Sequence, residues 1–182
     1  KGLKVGLCWS SGVAAKIRKH QLVSISSISH FYSLLNIPNV TVISLQYTDV
    51  TEELKVVKKE TGKEIVVLEE IDMKNDQDSL AALMVALDLT ISVHTAVQQM
   101  AAAISGSNIW VIPATNTPFH KLMKSPLPKD IGEKKKNDQE RMIAQVEAAT
   151  SILTEATKQA DPASWITEIS SQESEKGWLY AK

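Results

Sequence analysis

Five short apolar runs, separated by segments with helical periodicity, leave this chain few folds to adopt. The runs are 3–9, 40–45, 65–68, 89–93 and 108–112. They are largely continuous in their apolar character rather than alternating, as strands covered on both faces require. Between the first two, apolar residues fall at 22, 25, 28, 31, 34 and 35, which is helical spacing. That helix should stop at Asn36, because Pro38 disfavours helix in the residue before it. The next helix opens at Thr51 with Glu52 and Glu53 in its first turn, carries Lys58 and Lys59 in its last, and meets Gly62 as a C-cap. Asp76 or Asp78 can cap a third helix running to Leu87, and Thr95 to Ile104 is an Ala-rich fourth, stopped by Ser105-Gly106. Strands and helices alternating through short connections predict an α/β chain with right-handed crossovers. The sheet should be parallel, of five or more strands, in a three-layer sandwich with helices on both faces.

Beyond Pro113 the pattern changes. Residues 114–132 hold prolines at 118, 126 and 128 and show no period, so they are expected to be loop. The run 133–138, with Lys134 to Lys136, reads as a solvated helix start. A long helix is expected over 139–160, a short one after Asp161-Pro162 through Ile169, then a polar stretch and an apolar anchor at Trp178-Leu179-Tyr180. The expected division is a sheet domain over 1–132 and a helical appendage over 133–182 that packs on it.

Composition removes several classes of function. The 182 residues carry a net charge of −1, so no global field favours nucleic acid or an anionic membrane. No apolar run nears the roughly 18 residues of a membrane span. The chain goes directly into a strand pattern without a leader signature, and a cytoplasmic setting is the default. It opens on Lys1 rather than Met, so it is expected to belong to something longer. Cys8 is the only cysteine, which excludes an internal disulfide and a cysteine-based zinc site, and its apolar neighbours predict a core position. His20 and His30 lack partners at metal-ligand spacing, so no metal is expected. There is no Gly-x-Gly-x-x-Gly after the first strand, no Gly-x-x-x-x-Gly-Lys-Ser/Thr and no Gly-x-Ser-x-Gly. The first strand ends in Cys-Trp-Ser rather than in acids, which disfavours a phospho-acceptor domain.

In an open parallel sheet, ligands bind beyond the C-terminal strand ends, where the strand order reverses. That rule points to Ser10-Ser11-Gly12, Gln46-Tyr47, Glu69-Glu70, Ser92 to Ala96, and Pro113 to Asn116. Hydroxyls and free N–H groups at a helix start suit a phosphate or diphosphate, and His94 adds a donor that a bound phosphate could hold cationic. The same residues also suit plainer work: Ser92 and Thr95 as turn and capping residues, His94 as a surface histidine, Ser10 to Gly12 as a turn, Gln46 as a strand-end partner.

Taken in order, 5–12 (Val-Gly-Leu-Cys-Trp-Ser-Ser-Gly), 42–46 (Val-Ile-Ser-Leu-Gln), 87–97 (Leu-Asp-Leu-Thr-Ile-Ser-Val-His-Thr-Ala-Val) and 109–113 (Ile-Trp-Val-Ile-Pro) resemble the C-terminal half of GT-B glycosyltransferases. The nearest groups are heptosyltransferase-like enzymes and the glycosyltransferase domains that follow tetratricopeptide repeats. The resemblance spans roughly residues 3–114 and implies a Rossmann-like domain that binds a nucleotide sugar. It implies Ser10, Ser11 and Gly12 near the sugar-phosphate, and Ser92, His94, Thr95 and Ala96 with the following helix start around the diphosphate. Gln46 and Gln99 complete the expected nucleotide-sugar site, with no cofactor beyond the donor. An N-terminal half outside this chain would supply the acceptor site. The chain departs from the family at His94, where Asp is usual, at Gln99, where His is usual, and at Ala102, where Gly is usual. The expected function is sugar transfer from a nucleoside-diphosphate donor; a catalytically silent binding or assembly module and a sugar-nucleotide epimerase half are the alternatives.

Overall fold

A computed structural model of the chain describes residues 2–11, 27–93, 95–104, 108–112, 138–174 and 179–180. The chain is α/β with a parallel sheet. Strands β1 (Leu3–Cys8), β2 (Val40–Ser44), β3 (Leu89–Val93) and β4 (Asn108–Ile112) run parallel in the spatial order β2-β1-β3-β4. A two-residue strand, β5 (Leu179–Tyr180), pairs antiparallel with β4 through Ile109 and Trp110.

Among the described residues the sheet therefore falls short of five parallel strands. The expected strand at 65–68 is a single parallel bridge, Ile43 to Val66, made by Ser44 N–H to Val66 O (2.8 Å) and Val66 N–H to Val42 O (2.9 Å). Of that run only Ile65 is buried, and charged pairs flank it at Lys63-Glu64 and Glu69-Glu70. Too little apolar surface is covered there to hold a longer ladder.

The chain adds β2, then the Val66 bridge, on one side of β1, and then adds β3 and β4 on the other. The order thus reverses between β1 and β3. Lys4 fixes that junction: its N–H donates to Asp88 Oδ2 (2.8 Å), its carbonyl accepts from Asp88 N–H (2.9 Å), and its ammonium reaches Ala86 O.

Helices follow the expected pattern with three differences. The segment before β2 is a 3₁₀ turn (Ile28–Phe31), capped by Ser27 Oγ on Ser29 N–H (3.1 Å), and a four-residue α1 (Tyr32–Leu35); positions 22 and 25 of the expected helix lie outside the described residues. Helix α2 (Thr51–Thr61) ends on Gly62, whose φ of 68° only glycine adopts cheaply and whose N–H returns to Lys58 O (2.9 Å). Helix α3 (Gln77–Ala86) is capped by Asp76, which accepts from Ser79 N–H (3.0 Å). Helix α4 (Ala96–Ala103) joins β3 to β4. Helix α5 (Asp138–Ala156) stops with its last apolar position, before the expected end at 160, and α6 (Pro162–Ser174) continues past Ile169 into the polar stretch. Asp161 starts α6 by accepting from the hydroxyl of Ser164 (2.7 Å).

Two apolar clusters cover the two faces of the sheet. Val5, Leu7, Leu89, Ile91 and Val93 meet the 3₁₀ turn, α1, Val57 of α2, Leu153 of α5 and Ile166 of α6. Cys8, Ile43 and Leu45 meet Leu80 and Met84 of α3 and Val97 and Ala101 of α4. Helices α5 and α6 therefore share the core of β1 and β3. Among the described residues, no helix is long and apolar enough to cross a membrane, and no three His, Cys, Asp or Glu side chains gather to hold a metal.

Candidate functional site

The register places Cys8 beside Ser92, and Leu7 beside Ser44, so the ends of β1, β2 and β3 lie along one edge. Five side chains from three chain regions gather there: Cys8, Ser10, Gln46, Ser92 and Thr95. Gln46, just past β2, accepts on Oε1 from the N–H groups of Trp9 (3.1 Å) and Ser10 (3.2 Å), and its amide nitrogen donates to Ser10 Oγ (2.6 Å). The amide is 7% exposed, so these bonds are formed largely out of water. Gln46 thus holds the end of β1 in place, and Ser10 Oγ, having accepted that bond, keeps its own proton to donate.

On the other side of the reversal, Ser92 and Thr95 are buried. Ser92 Oγ donates to Val93 O (2.7 Å) and lies 3.4 Å from Thr95 Oγ1. Thr95 Oγ1 lies 3.7 Å from Cys8 Sγ. Thr95 is the N-cap of α4 by backbone geometry, yet its hydroxyl turns inward and caps nothing; its carbonyl accepts from Gln99 N–H (3.2 Å). Among the described residues the first N–H groups of α4 consequently have no side-chain cap, and they stand at the point where the sheet order reverses. A helix start of this kind carries partial positive charge and unpaired donors, the combination that holds anions. Ala96, exposed at the first helical position, leaves the approach open.

Cys8 is not a nucleophile here. Burial is the main reason its thiol is pushed up to about 11, against smaller opposing effects from Thr95, Ser92 and the Ser10 carbonyl. A neutral buried thiol is a small apolar group. Trp9, buried in the core, donates from its indole to Glu53 Oε2 (3.1 Å), while Glu53 Oε1 accepts from Ile28 N–H (3.3 Å). That carboxylate joins the ends of β1, α2 and the 3₁₀ turn, and so steadies the strand end that carries Ser10.

Of the residues expected at the site, Ser10 and Gln46 are in contact, and Ser92 and Thr95 are in contact. Cys8 connects the two pairs, through Ser10 O (3.6 Å) and Thr95 Oγ1. Ser11 follows on the β1 end, half-buried. Ala96 and Gln99 are exposed on α4, and no bond ties the Gln99 side chain to the hydroxyl pair among the described residues. Gly12 and His94 lie outside the described residues.

Gln98, rather than Gln99, is the buried glutamine of α4. It is 1% exposed, and its Oε1 has no protein partner among the described residues; Thr90 Oγ1, within β3, likewise has none. The spacing carried a faint signal. Val97, Gln98, Ala101 and Ile104 form the inner stripe of α4, with Ala96, Gln99 and Ala103 outside. In an Ala-rich helix neither glutamine stands out from the sequence.

A cleft of about 280 Å3 opens beside this edge, lined by Gln46, Tyr47, Asp49, Leu54, Val67 and Asp72 among others. The Thr51 hydroxyl, and then its N–H, hold the Asp49 carboxyl below the usual carboxylate range.

No known protein family matches the chain as a whole. Over 116 residues it is 35% identical to Protein FlbA of Caulobacter vibrioides (strain ATCC 19089 / CIP 103742 / CB 15), a stretch covering 64% of this chain and 19% of that protein. The chain thus spans about a fifth of the length of that curated relative. No solved structure matches.

Proposed function

We propose that this chain is the nucleotide-sugar-binding half of a glycosyltransferase. Its fold is Rossmann-like and three-layered, in a cytoplasmic setting, and the acceptor site belongs to a half outside the chain. The observation that carries the proposal is the start of α4 at the reversal between β1 and β3, which Thr95 leaves without a side-chain cap and which Cys8 connects to Ser10 at the end of β1. In transfer from a nucleoside-diphosphate donor, charge builds on the leaving diphosphate. Fixed N–H donors and hydroxyls aimed at that charge stabilise the transition state without reorganising. Ser10, held by Gln46, would bind from the β1 side, and the N–H groups of the first turn of α4 from the β3 side.

Calorimetric titration with inorganic pyrophosphate, on the wild type and on Ala96→Asp, tests this site. The added carboxylate supports the helix by about 0.3–1 kcal/mol, so the variant keeps its melting temperature. It repels the anion, and affinity should fall by about tenfold or more. Equal affinity for both proteins would place the anion elsewhere.

A catalytically silent binding module is the second reading. No lysine or arginine stands among the described residues at the end of β1 and the start of α4, and Gln99 cannot carry charge. Donor binding without sugar release, in the full-length protein with acceptor supplied, would favour it.

A further inference from the structure

We propose that the cleft beyond the end of β2 receives a ring bearing neighbouring hydroxyls, either the ribose of the nucleotide or the sugar it carries. This rests on reading the adjoining edge as a nucleotide-sugar site. The cleft, of about 280 Å3, lies between the start of α2 and the segment 67–74. That volume is near the lower end for small-molecule sites, about 300 Å3, and suits one ring system rather than a whole nucleotide sugar. Gln46 lines it and also binds Ser10, so a ligand leaving the cleft passes directly onto the end of β1.

The lining defines the occupant. Tyr47, Leu54, Val67, Leu68 and Ile71 provide an apolar and aromatic wall. The buried Ser44 hydroxyl and the Gln46 side chain form the polar end. Asp49, Glu69 and Asp72 rim the opening, and Lys74 is the single cation among the described residues that line it. Asp49 Oδ1 accepts from Thr51 N–H (2.9 Å), and Asp72 Oδ1 from Lys74 N–H (2.9 Å) and Asn75 N–H (3.0 Å). The Thr51 hydroxyl beside Asp49 and the Asn75 amide on Asp72 Oδ2 (2.7 Å), with these backbone bonds, hold both carboxyls below their ordinary values. Ionised carboxylates only accept, so what faces them must donate. Phosphate does not fit that requirement, whereas neighbouring hydroxyls on a ring do. The diphosphate would then lie toward Ser10 and α4, outside the acid-rimmed cleft.

Amide NMR of the labelled protein separates the possibilities. The probes are ribonucleoside 5′-diphosphates, their 2′,3′-dideoxy analogues, methyl glycosides of common hexoses, and inorganic pyrophosphate. Resonances of 47–51 and 68–74 should shift with a ribonucleoside diphosphate and bind its dideoxy analogue at least about tenfold more weakly if ribose is the occupant. Shifts there with a methyl glycoside, and none with the ribonucleotides, would identify the carried sugar instead. Asp49→Asn keeps the acceptor for Thr51 N–H, so the fold is retained, and it should weaken the cleft ligand about tenfold. If these amides stay unmoved by every probe, or if Asp49→Asn binds as the wild type does, the cleft proposal is overturned. Pyrophosphate reports separately through 10–11 and 95–97. A response there without one in the cleft leaves the anion site standing and removes the diol site; the converse result removes the anion site.

Discussion

Cys8 and Gln46 show how single residues set this strand edge. Burial pushes the Cys8 thiol up from an ordinary 9.0 to about 11 in the folded chain. Above pH 9 the unfolded chain loses the proton first, so stability falls as pH rises from about 9 to about 11, by roughly 2–3 kcal/mol in all. Cys8→Ala removes this contribution, and its unfolding free energy should fall less steeply with pH across that window in denaturant titrations; identical slopes would show that burial does not hold the thiol neutral. Gln46→Ala leaves the Trp9 and Ser10 N–H groups short of an acceptor. It should lower stability by about 1–3 kcal/mol in urea unfolding, whereas a change under half of that would mean water replaces the amide. At this scale the sequence was informative where chemistry follows topology. Ser10, Gln46, Ser92 and Thr95 could be placed along one edge because the C-terminal ends of parallel strands lie together. Gln98 could not, because helical phase alone decides which of two adjacent glutamines turns inward. Nor could Glu53, whose role depends on meeting Trp9 across 44 positions of chain.

Elements were legible where local signals agreed. The acids, lysines and glycine of α2 fixed both of its ends. Gly62→Ala tests the C-terminal signal: nothing lies within 4 Å of the added carbon, so its cost is backbone strain alone. Thermal unfolding should show a loss of about 1–2 kcal/mol. No loss would mean that the end of α2 relaxes freely. Legibility failed where tertiary context outweighed pattern. The run 65–68 has the composition of a strand but only one buried residue, so pairing stops at one bridge. Helix α6 continues through serines of weak helical preference, carried by the buried Ile166 and the pairing of the chain beyond it with β4.

For the whole molecule, the two apolar clusters hold helices against opposite faces of the sheet, and the strand order reverses between β1 and β3. The C-terminal helices belong to one of those clusters. Leu153→Ala on α5, fully buried against it, should therefore cost about 2–5 kcal/mol in chemical unfolding of the intact chain. A cost below about 1 kcal/mol would detach α5 from the core. The parallel arrangement followed from continuous apolar runs and short connections, which few other architectures accommodate. Which face of the sheet α5 and α6 cover did not, since an amphipathic helix does not name the surface it covers. The central claim, a nucleotide-sugar site at the β1–β3 reversal, is tested most directly by calorimetric titration of the wild-type chain with the common nucleoside diphosphates. At least one should bind at a single site, with affinity lost in Ala96→Asp. A folded chain that binds none of them would contradict the claim.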